Sequence, residues 1–280
     1  MKVISDPKAM QALSRKWKRA GKRVGFVPTM GALHEGHLAL VRAARKADGL
    51  VAASIYVNPL QFGPQEDLKQ YPRTLEADLA LLKKEKVAAV FTPSDKVMYP
   101  EGYAARVQVT GPLVEGLCAP FRPGHFDGVA TVVVKLLGCV QPTRLYLGQK
   151  DAQQALVLRQ VIADLDLDVE TVLCPIVREH DGLAMSSRNV RLTPEGRRAA
   201  PVLYRALKVG KGVFELGVTD PGKVMAEMRK VLKEEKRAKL QYLEAVETPS
   251  LRPAAQLKPG TLLALAAFID QVRLIDNLIL

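Results

Sequence analysis

The chain has 280 residues, 48% of them hydrophobic, which is enough for one large core with a smaller companion. Its 41 Lys and Arg against 29 Asp and Glu give a net charge of +12, which favours anionic ligands. With 5% aromatic residues and a single Trp, Trp17, it lacks the composition of a base-stacking surface, so nucleic acid is not the expected partner.

Three widely separated cysteines, Cys118, Cys139 and Cys174, form neither a disulfide framework nor a C-x-x-C pair and fit a reducing compartment. The first residues lack the apolar run of a signal peptide, and the apolar stretch 129–140 is interrupted by Lys135 well short of membrane length. A cytoplasmic protein without a membrane partner is expected.

In chain order, residues 7–20 place Met10, Leu13 and Trp17 at helical spacing and stop at Gly21. Residues 24–27 read as a strand, 38–44 as a helix, and 50–57 as a near-continuous apolar strand of the kind covered on both faces. Residues 74–86 form a predicted helix with Thr74 as N-cap, and 87–91 a third strand. Short extended pieces are expected over 99–117, then a helix over 126–140, a strand over 144–148, a helix over 151–165 and a strand over 169–174.

This alternation predicts an α/β protein with a Rossmann-like, doubly wound parallel sheet over residues 1–176. From residue 177 the pattern changes. A polar loop over 178–189 precedes a helix opened by Thr193 and running to about residue 207. A charged helix over 221–236 and extended runs over 240–246, 261–268 and 272–275 follow, so residues 177–280 read as a smaller α+β domain.

Ligands of such sheets bind beyond the carboxyl ends of the strands. There the first strand runs through Pro28-Thr-Met30-Gly-Ala-Leu-His34-Glu-Gly-His37 into a helix. The two histidines are three apart and share a face, Gly36 keeps bulk away, and a helix start offers unpaired N–H groups to an anion. This is the H-x-G-H pattern of nucleotidyl transferases, in which imidazoles donate to a phosphate as charge builds on its oxygens. A zinc H-E-x-x-H would need histidines four apart, and no Gly-Lys-Ser/Thr follows as in a Walker loop.

Further polar groups stand at the other strand ends. Asn58 and Gln61 are carboxamides that can both donate to and accept from a small polar molecule. Tyr71, Arg122 and His125 complete the candidate substrate set, with Asp127 placed either there or as a helix cap. Asp78, one turn into its helix, reads as a metal ligand or as a solvated carboxylate. Lys150 and Asp151 follow Gly148 and Gln149 at a helix start, where they suit phosphate and ribose, and Gln154 lies one turn on. Met185, Ser186, Ser187, Arg188 and Asn189 collect hydroxyls and a guanidinium able to grip a triphosphate.

Together, Pro28 to His37, Tyr56-Val-Asn-Pro-Leu-Gln-Phe62, Tyr71-Pro-Arg-Thr74, Arg122-Pro-Gly-His-Phe-Asp127, Gly148-Gln-Lys-Asp151 and Met185-Ser-Ser-Arg-Asn189 resemble the pantoate–β-alanine ligase family, in order and spacing. The resemblance implies that ATP and pantoate form pantoyl adenylate with loss of pyrophosphate, and that β-alanine displaces AMP to give pantothenate. It implies ATP contacts at Met30, Gly31, Ala32, Leu33, His34, Glu35, Gly36 and His37, with His37 as a proton donor. It assigns Gly148, Gln149, Lys150, Asp151 and Val177 to the nucleoside and α-phosphate, and Met185, Ser186, Ser187 and Arg188 to the triphosphate.

Gln61 and Gln154 would hold pantoate, and Mg²⁺ would accompany ATP. The catalytic set would be His34, His37, Lys150 and Arg188. One family feature is weakened, because the acidic residue that often precedes Asp78 is Ala77 here. A homodimer is also implied, and because an acyl adenylate must be kept from water, the C-terminal domain is expected to act as a lid. Two other readings stay open at this point: another H-x-G-H transferase acting on a phosphate ester, or an RNA-binding module on a nucleotide fold.

Overall fold

The computed structural model describes residues 1–64 and 66–280. The first elements are β1 (Lys2–Ile4), α1 (Pro7–Arg19), β2 (Val24–Thr29), α2 (Glu35–Asp48), β3 (Leu50–Ile55), α3 (Leu75–Lys84), β4 (Ala89–Phe91) and α4 (Asp95–Met98). Next come α5 (His125–Val140), β5 (Arg144–Gly148), α6 (Ala152–Asp164) and β6 (Glu170–Cys174). The chain ends with α7 (Pro194–Ala199), α8 (Val202–Glu215), α9 (Pro221–Glu234), β7 (Ala238–Val246), β8 (Leu262–Ile269) and β9 (Val272–Ile279).

By the density of their internal contacts the residues fall into two units. One comprises Met1–Val109, Arg122–Gly148 and Gln154–Pro175, the other Thr110–Phe121, Gln149–Gln153 and Ile176–Leu280. A single cut after residue 176 would have left residues 110–121 and 149–153 in the first unit.

The first unit is built on a six-stranded sheet in the order β1-β4-β3-β2-β5-β6, with every pair parallel. Side chains of successive strand residues point to opposite faces, and the sequence fills both. Phe26, Ala52, Phe91, Leu145 and Leu147 pack on one face with α1, α5 and α6. Val27, Val51, Ala53, Val90 and Tyr146 pack on the other with α2 and α3. Burial on both sides explains why these strands read as unbroken apolar runs. The sheet grows outward from β2 through β3 to β4, and from β5 to β6 in the opposite direction. The strand order therefore reverses between β2 and β5, where such sheets bind ligands.

Two local expectations fail for identifiable reasons. β1 has only three residues, too few to show a period, yet it pairs with β4 through Val3 and Val90. No strand forms over the expected extended pieces at 99–117 among the described residues. Instead Val107 N donates to Thr131 Oγ1 and Val109 N to Asp127 Oδ1, each at 2.9 Å. Side chains of α5 thus satisfy backbone groups that a sheet would otherwise have paired. Asp127 serves that segment and makes no cap for α5.

The second unit is a three-stranded antiparallel sheet, β7-β8-β9, covered by helices. Leu203 and Leu207 of α8 and Val224, Met228 and Leu232 of α9 close over Leu263, Leu265 and Ala267. The single helix predicted from Thr193 onward is two, because Pro201 has no N–H to continue the ladder: α7 ends at Ala199 and α8 begins at Val202. No helix among the described residues is long and apolar enough to cross a membrane.

Candidate active site

At the reversal point the chain leaves β2 through Thr29, whose hydroxyl donates to Ser54 O at 2.7 Å and accepts from Gly31 N at 3.2 Å. The exit then turns sharply, with φ +83° at Gly31 and +48° at Ala32. A Cβ on Gly31 would stand 3.0 Å from Asp78 Oδ2 and 3.1 Å from Ile55 Cγ2, so the position admits only glycine. Left-handed backbone at Ala32 costs about 1–2 kcal/mol and must be held in place by its surroundings.

Asp78, in the first turn of α3, is 2% exposed. Its Oδ2 accepts from Ala32 N at 2.9 Å and its Oδ1 from Leu33 N at 2.8 Å. Thr74 occupies the expected N-cap position of α3, but its hydroxyl makes no capping bond and instead donates to Asp78 Oδ2 at 3.2 Å. The solvated reading of Asp78 is overturned.

His34 is the N-cap of α2, and its Nδ1 accepts from Gly36 N at 3.2 Å. His37 reaches back so that its own Nδ1 accepts from His34 N at 3.3 Å, with the ring centroids 4.1 Å apart. Because Nδ1 accepts on both rings, the proton of each neutral imidazole sits on Nε2. The amides of Gly31, Ala32, Leu33, His34 and Gly36 are bonded inside the loop. Glu35 turns outward into an ion pair with Arg42, which also bonds Glu85 at 2.7 Å.

The segment after β3 is locked behind this loop. Asn58 is 1% exposed. It donates to Gln61 Oε1 and Gly128 O, each at 3.0 Å, and accepts from Leu60 N at 3.3 Å and Tyr99 Oη at 2.7 Å. Its two hydrogens and its carbonyl are therefore consumed by the protein, so Asn58 positions Gln61 and does not itself meet a ligand. Gln61 Nε2 donates to Met30 Sδ at 3.2 Å, which ties the carboxamide to the histidine loop.

His125 and Arg122 are likewise supports. His125 Nδ1 donates to Gln61 O at 2.8 Å, while its Nε2 accepts from Arg122 Nη1 at 2.9 Å. Arg122 grips Glu66 through Nε at 2.9 Å and Nη2 at 2.5 Å. Arg122 and His125 thereby brace Gln61 and Glu66. Tyr71, 7% exposed, packs edge-on to Phe62. Gly128 admits all of this: a Cβ there would lie 2.3 Å from Leu60 O and 2.7 Å from Gln61 Cα. Gln154, half-buried on α6, also belongs to the first unit.

In the second unit, Asn277 on β9 holds the turn that carries Lys150. Its Nδ2 donates to Gln149 O at 2.9 Å and Lys150 O at 3.0 Å, and its Oδ1 accepts from Gln149 Nε2 at 3.3 Å. Lys150 Nζ lies 3.6 Å from Asp151 Oδ2. Next to Asn277, Asp276 receives both arms of Arg178, at 2.6 and 3.0 Å, and burial pushes its carboxyl up against the opposing pull of the guanidinium.

Arg178 opens a hairpin that pairs with Ala184 and is closed by Met185 N donating to Val177 O at 3.0 Å. The Ser-Ser-Arg turn follows, with Arg188 N donating to Ser186 Oγ at 3.2 Å and Ser187 9% exposed. Sequence reasoning missed Arg178, Asp276 and Asn277. The available signal was an Asp-Asn pair inside an otherwise apolar strand, where buried polar groups demand partners.

The donor chemistry does not fit a protein-held metal. The described residues contain no group of three or more His, Cys, Asp or Glu able to hold an ion. Asp78, the expected ligand, has both oxygens turned to the loop amides.

The parallel sheet and its reversal point define a Rossmann-like α/β protein with a histidine-bearing loop at the carboxyl end of β2. Comparison with known proteins makes this specific. The family model described as pantoate-beta-alanine ligase matches residues 2–279. The chain is 48% identical to a pantothenate synthetase of Caldicellulosiruptor bescii over 279 residues, covering 100% of this chain and 99% of the relative. A solved pantothenate synthetase from Thermus thermophilus matches at TM-score 0.94 and 46% identity, covering 99% of each chain. A pantoate-beta-alanine ligase from Francisella tularensis, solved in complex with beta-gamma ATP and beta-alanine, matches at TM-score 0.82 and 33% identity, covering 100% of this chain and 97% of that one. The chain belongs to the pantoate–β-alanine ligase family of enzymes.

Proposed function

We propose that the chain condenses (R)-pantoate with β-alanine through a pantoyl-adenylate intermediate, releasing pyrophosphate and then AMP. The observation that carries this reading is the pair of imidazoles whose Nδ1 atoms accept from backbone amides, joined through Met30 to the Gln61 carboxamide. Such a site suits a phosphorus centre on one side and a carboxylic acid on the other. The pantoate carboxylate is itself the nucleophile, so no activated Ser or Cys is required.

As it attacks, negative charge grows on the α-phosphate oxygens, and Nε2–H donors already aimed by the loop take it up without reorganising. Neutral carboxamides at Gln61 and Gln154 orient the acid without adding a charge that would repel ATP. Motif resemblance carries Lys150 to the α-phosphate, Gly148, Asp151 and Val177 to the nucleoside, and Met185, Ser186, Ser187 and Arg188 to the triphosphate. In the second step the β-alanine amine attacks the acyl carbon, and the C–O bond to AMP breaks.

Mg²⁺ would arrive with ATP and would supply charge neutralisation on the triphosphate. The Francisella tularensis relative, with its nucleotide and β-alanine, supports small-molecule substrates. A cytoplasmic homodimer is the setting that the family resemblance implies.

The test is pantoate-dependent exchange between ATP and pyrophosphate, followed by β-alanine-dependent release of AMP. Exchange without pantoate, or AMP release that ignores β-alanine, would contradict the assignment. Nucleotide should also slow proteolysis of the 178–189 loop if that loop closes over a triphosphate.

A further inference from the structure

We propose that Asp78 is a positioning residue for the histidine loop and not a ligand of the metal that accompanies ATP. The reaction it serves is the one proposed above, while the geometry stands on its own. Gly31 and Ala32 both have positive φ, and the amides of Ala32 and Leu33 that follow converge on one carboxylate, Oδ2 taking the first and Oδ1 the second. Consecutive backbone N–H groups in such a turn make an anion-binding concavity. Here the anion is the protein's own side chain, and the next residue is the N-cap His34.

Three donors already serve this carboxylate, with the Thr74 hydroxyl as the third, and the residue is 2% exposed. Turning it toward a metal would orphan two amides that the fold has taken out of water, and a buried donor without an acceptor is costly. Position 77 is Ala, so no adjacent carboxylate could share an ion. By fixing residues 32 and 33, Asp78 fixes where the helix starts and hence where the two Nε2–H groups stand. Its charge lies behind the loop, so it does nothing to attract ATP, and the variants should separate kcat from KM.

Two substitutions decide the matter. Asp78→Asn keeps the shape but can accept from only one of the two amides. Asp78→Glu keeps the charge and any metal affinity, yet its extra methylene misplaces the chelate. Amide hydrogen exchange at Ala32 and Leu33 is measured in the ligand-free protein, and pantoate-dependent ATP–pyrophosphate exchange is titrated with Mg²⁺.

Both variants should lose about 100-fold in kcat, with KM for ATP and the half-maximal Mg²⁺ concentration unchanged within about twofold, while the two amides exchange about 100-fold faster. Thr74→Val, which removes only the hydroxyl bond, should show the same pattern at about threefold and guards against a variant that fails to fold. The proposal is overturned if Asp78→Glu retains full rate. It is equally overturned if added Mg²⁺ restores the Asn variant while its amide exchange stays at the wild-type value. Should wild-type protein show no pantoate-dependent exchange, the functional reading fails, and the amide measurement alone decides the clamp.

Discussion

Residues 30–37 and residues 177–191 both carry candidate ATP contacts, yet they are held by different forces. The first segment is fixed by buried and half-buried hydrogen bonds to backbone amides: Thr29 to Gly31, Asp78 to Ala32 and Leu33, and the reciprocal caps of His34 and His37. The second leans on ion pairs, two of them partly exposed and one largely buried. Arg197 bridges Glu179 at 2.6 Å and Asp181 at 2.5 Å, and Arg178 pairs with Asp276 while stacking 3.8 Å above the Tyr204 ring. Bonds to backbone amides respond little to salt, whereas partly exposed ion pairs are weakened by it. The segment proposed to meet developing charge is thus set before the ligand arrives, and the one proposed to grip the triphosphate depends on solvent conditions.

The largest expected effect lies in the first segment. His34→Ala or His37→Ala should slow adenylation by about 3–4 kcal/mol, a factor of several hundred, with the thermal midpoint little changed. The two losses should not add, since each ring shapes the other's position through the His34 N to His37 Nδ1 bond. Wild-type rates in either variant would contradict the imidazole role.

Gly128→Ala comes next. Its Cβ must displace the backbone at Leu60, so overpacking should cost about 1–3 kcal/mol of stability and raise KM for pantoate through Gln61. An unchanged midpoint and KM would show that the 58–61 turn is not held as described. Arg122→Gln should follow at about 1.5–3 kcal/mol, because Glu66 and His125 each lose a partner. Pantoate affinity is the measurement that reports it.

The smallest effect belongs to the second segment and carries a pH signature. The Arg197 guanidinium holds the Asp181 carboxyl below the ordinary carboxylate range. A depressed folded value stabilises the fold fully above the unfolded value, and the contribution is lost as pH falls through the folded one. Acid should therefore speed cleavage of the 178–189 loop by less than about 1 kcal/mol of protection. A cleavage rate that stays constant as pH falls would contradict that role of the pair.

Much of the architecture was legible because it rests on periodicity. The strand at Arg144–Gly148 matches its apolar run to the residue, and α5 begins one residue before the predicted start. Pro201 was visible as a helix breaker but was read through, and β1 was too short to signal itself. In the candidate site, residue types at strand ends marked where chemistry gathers, but not which atoms remain available. Asn58, Arg122 and His125 have the composition of ligand contacts, yet other parts of the chain use their hydrogen-bonding groups. That distribution depends on partners 41 to 70 residues away, such as Tyr99 and Gly128 for Asn58, which no local spacing encodes.

The most direct measurement is the ¹⁵N spectrum of the His34 and His37 imidazoles with and without a non-hydrolysable ATP analogue. In the ligand-free protein each Nδ1 should show the shift of an acceptor bonded to its backbone amide, and the analogue should shift both Nε2 resonances while leaving each Nδ1 so bonded. Protons on Nδ1, or Nε2 resonances that do not move at saturating nucleotide, would contradict the account.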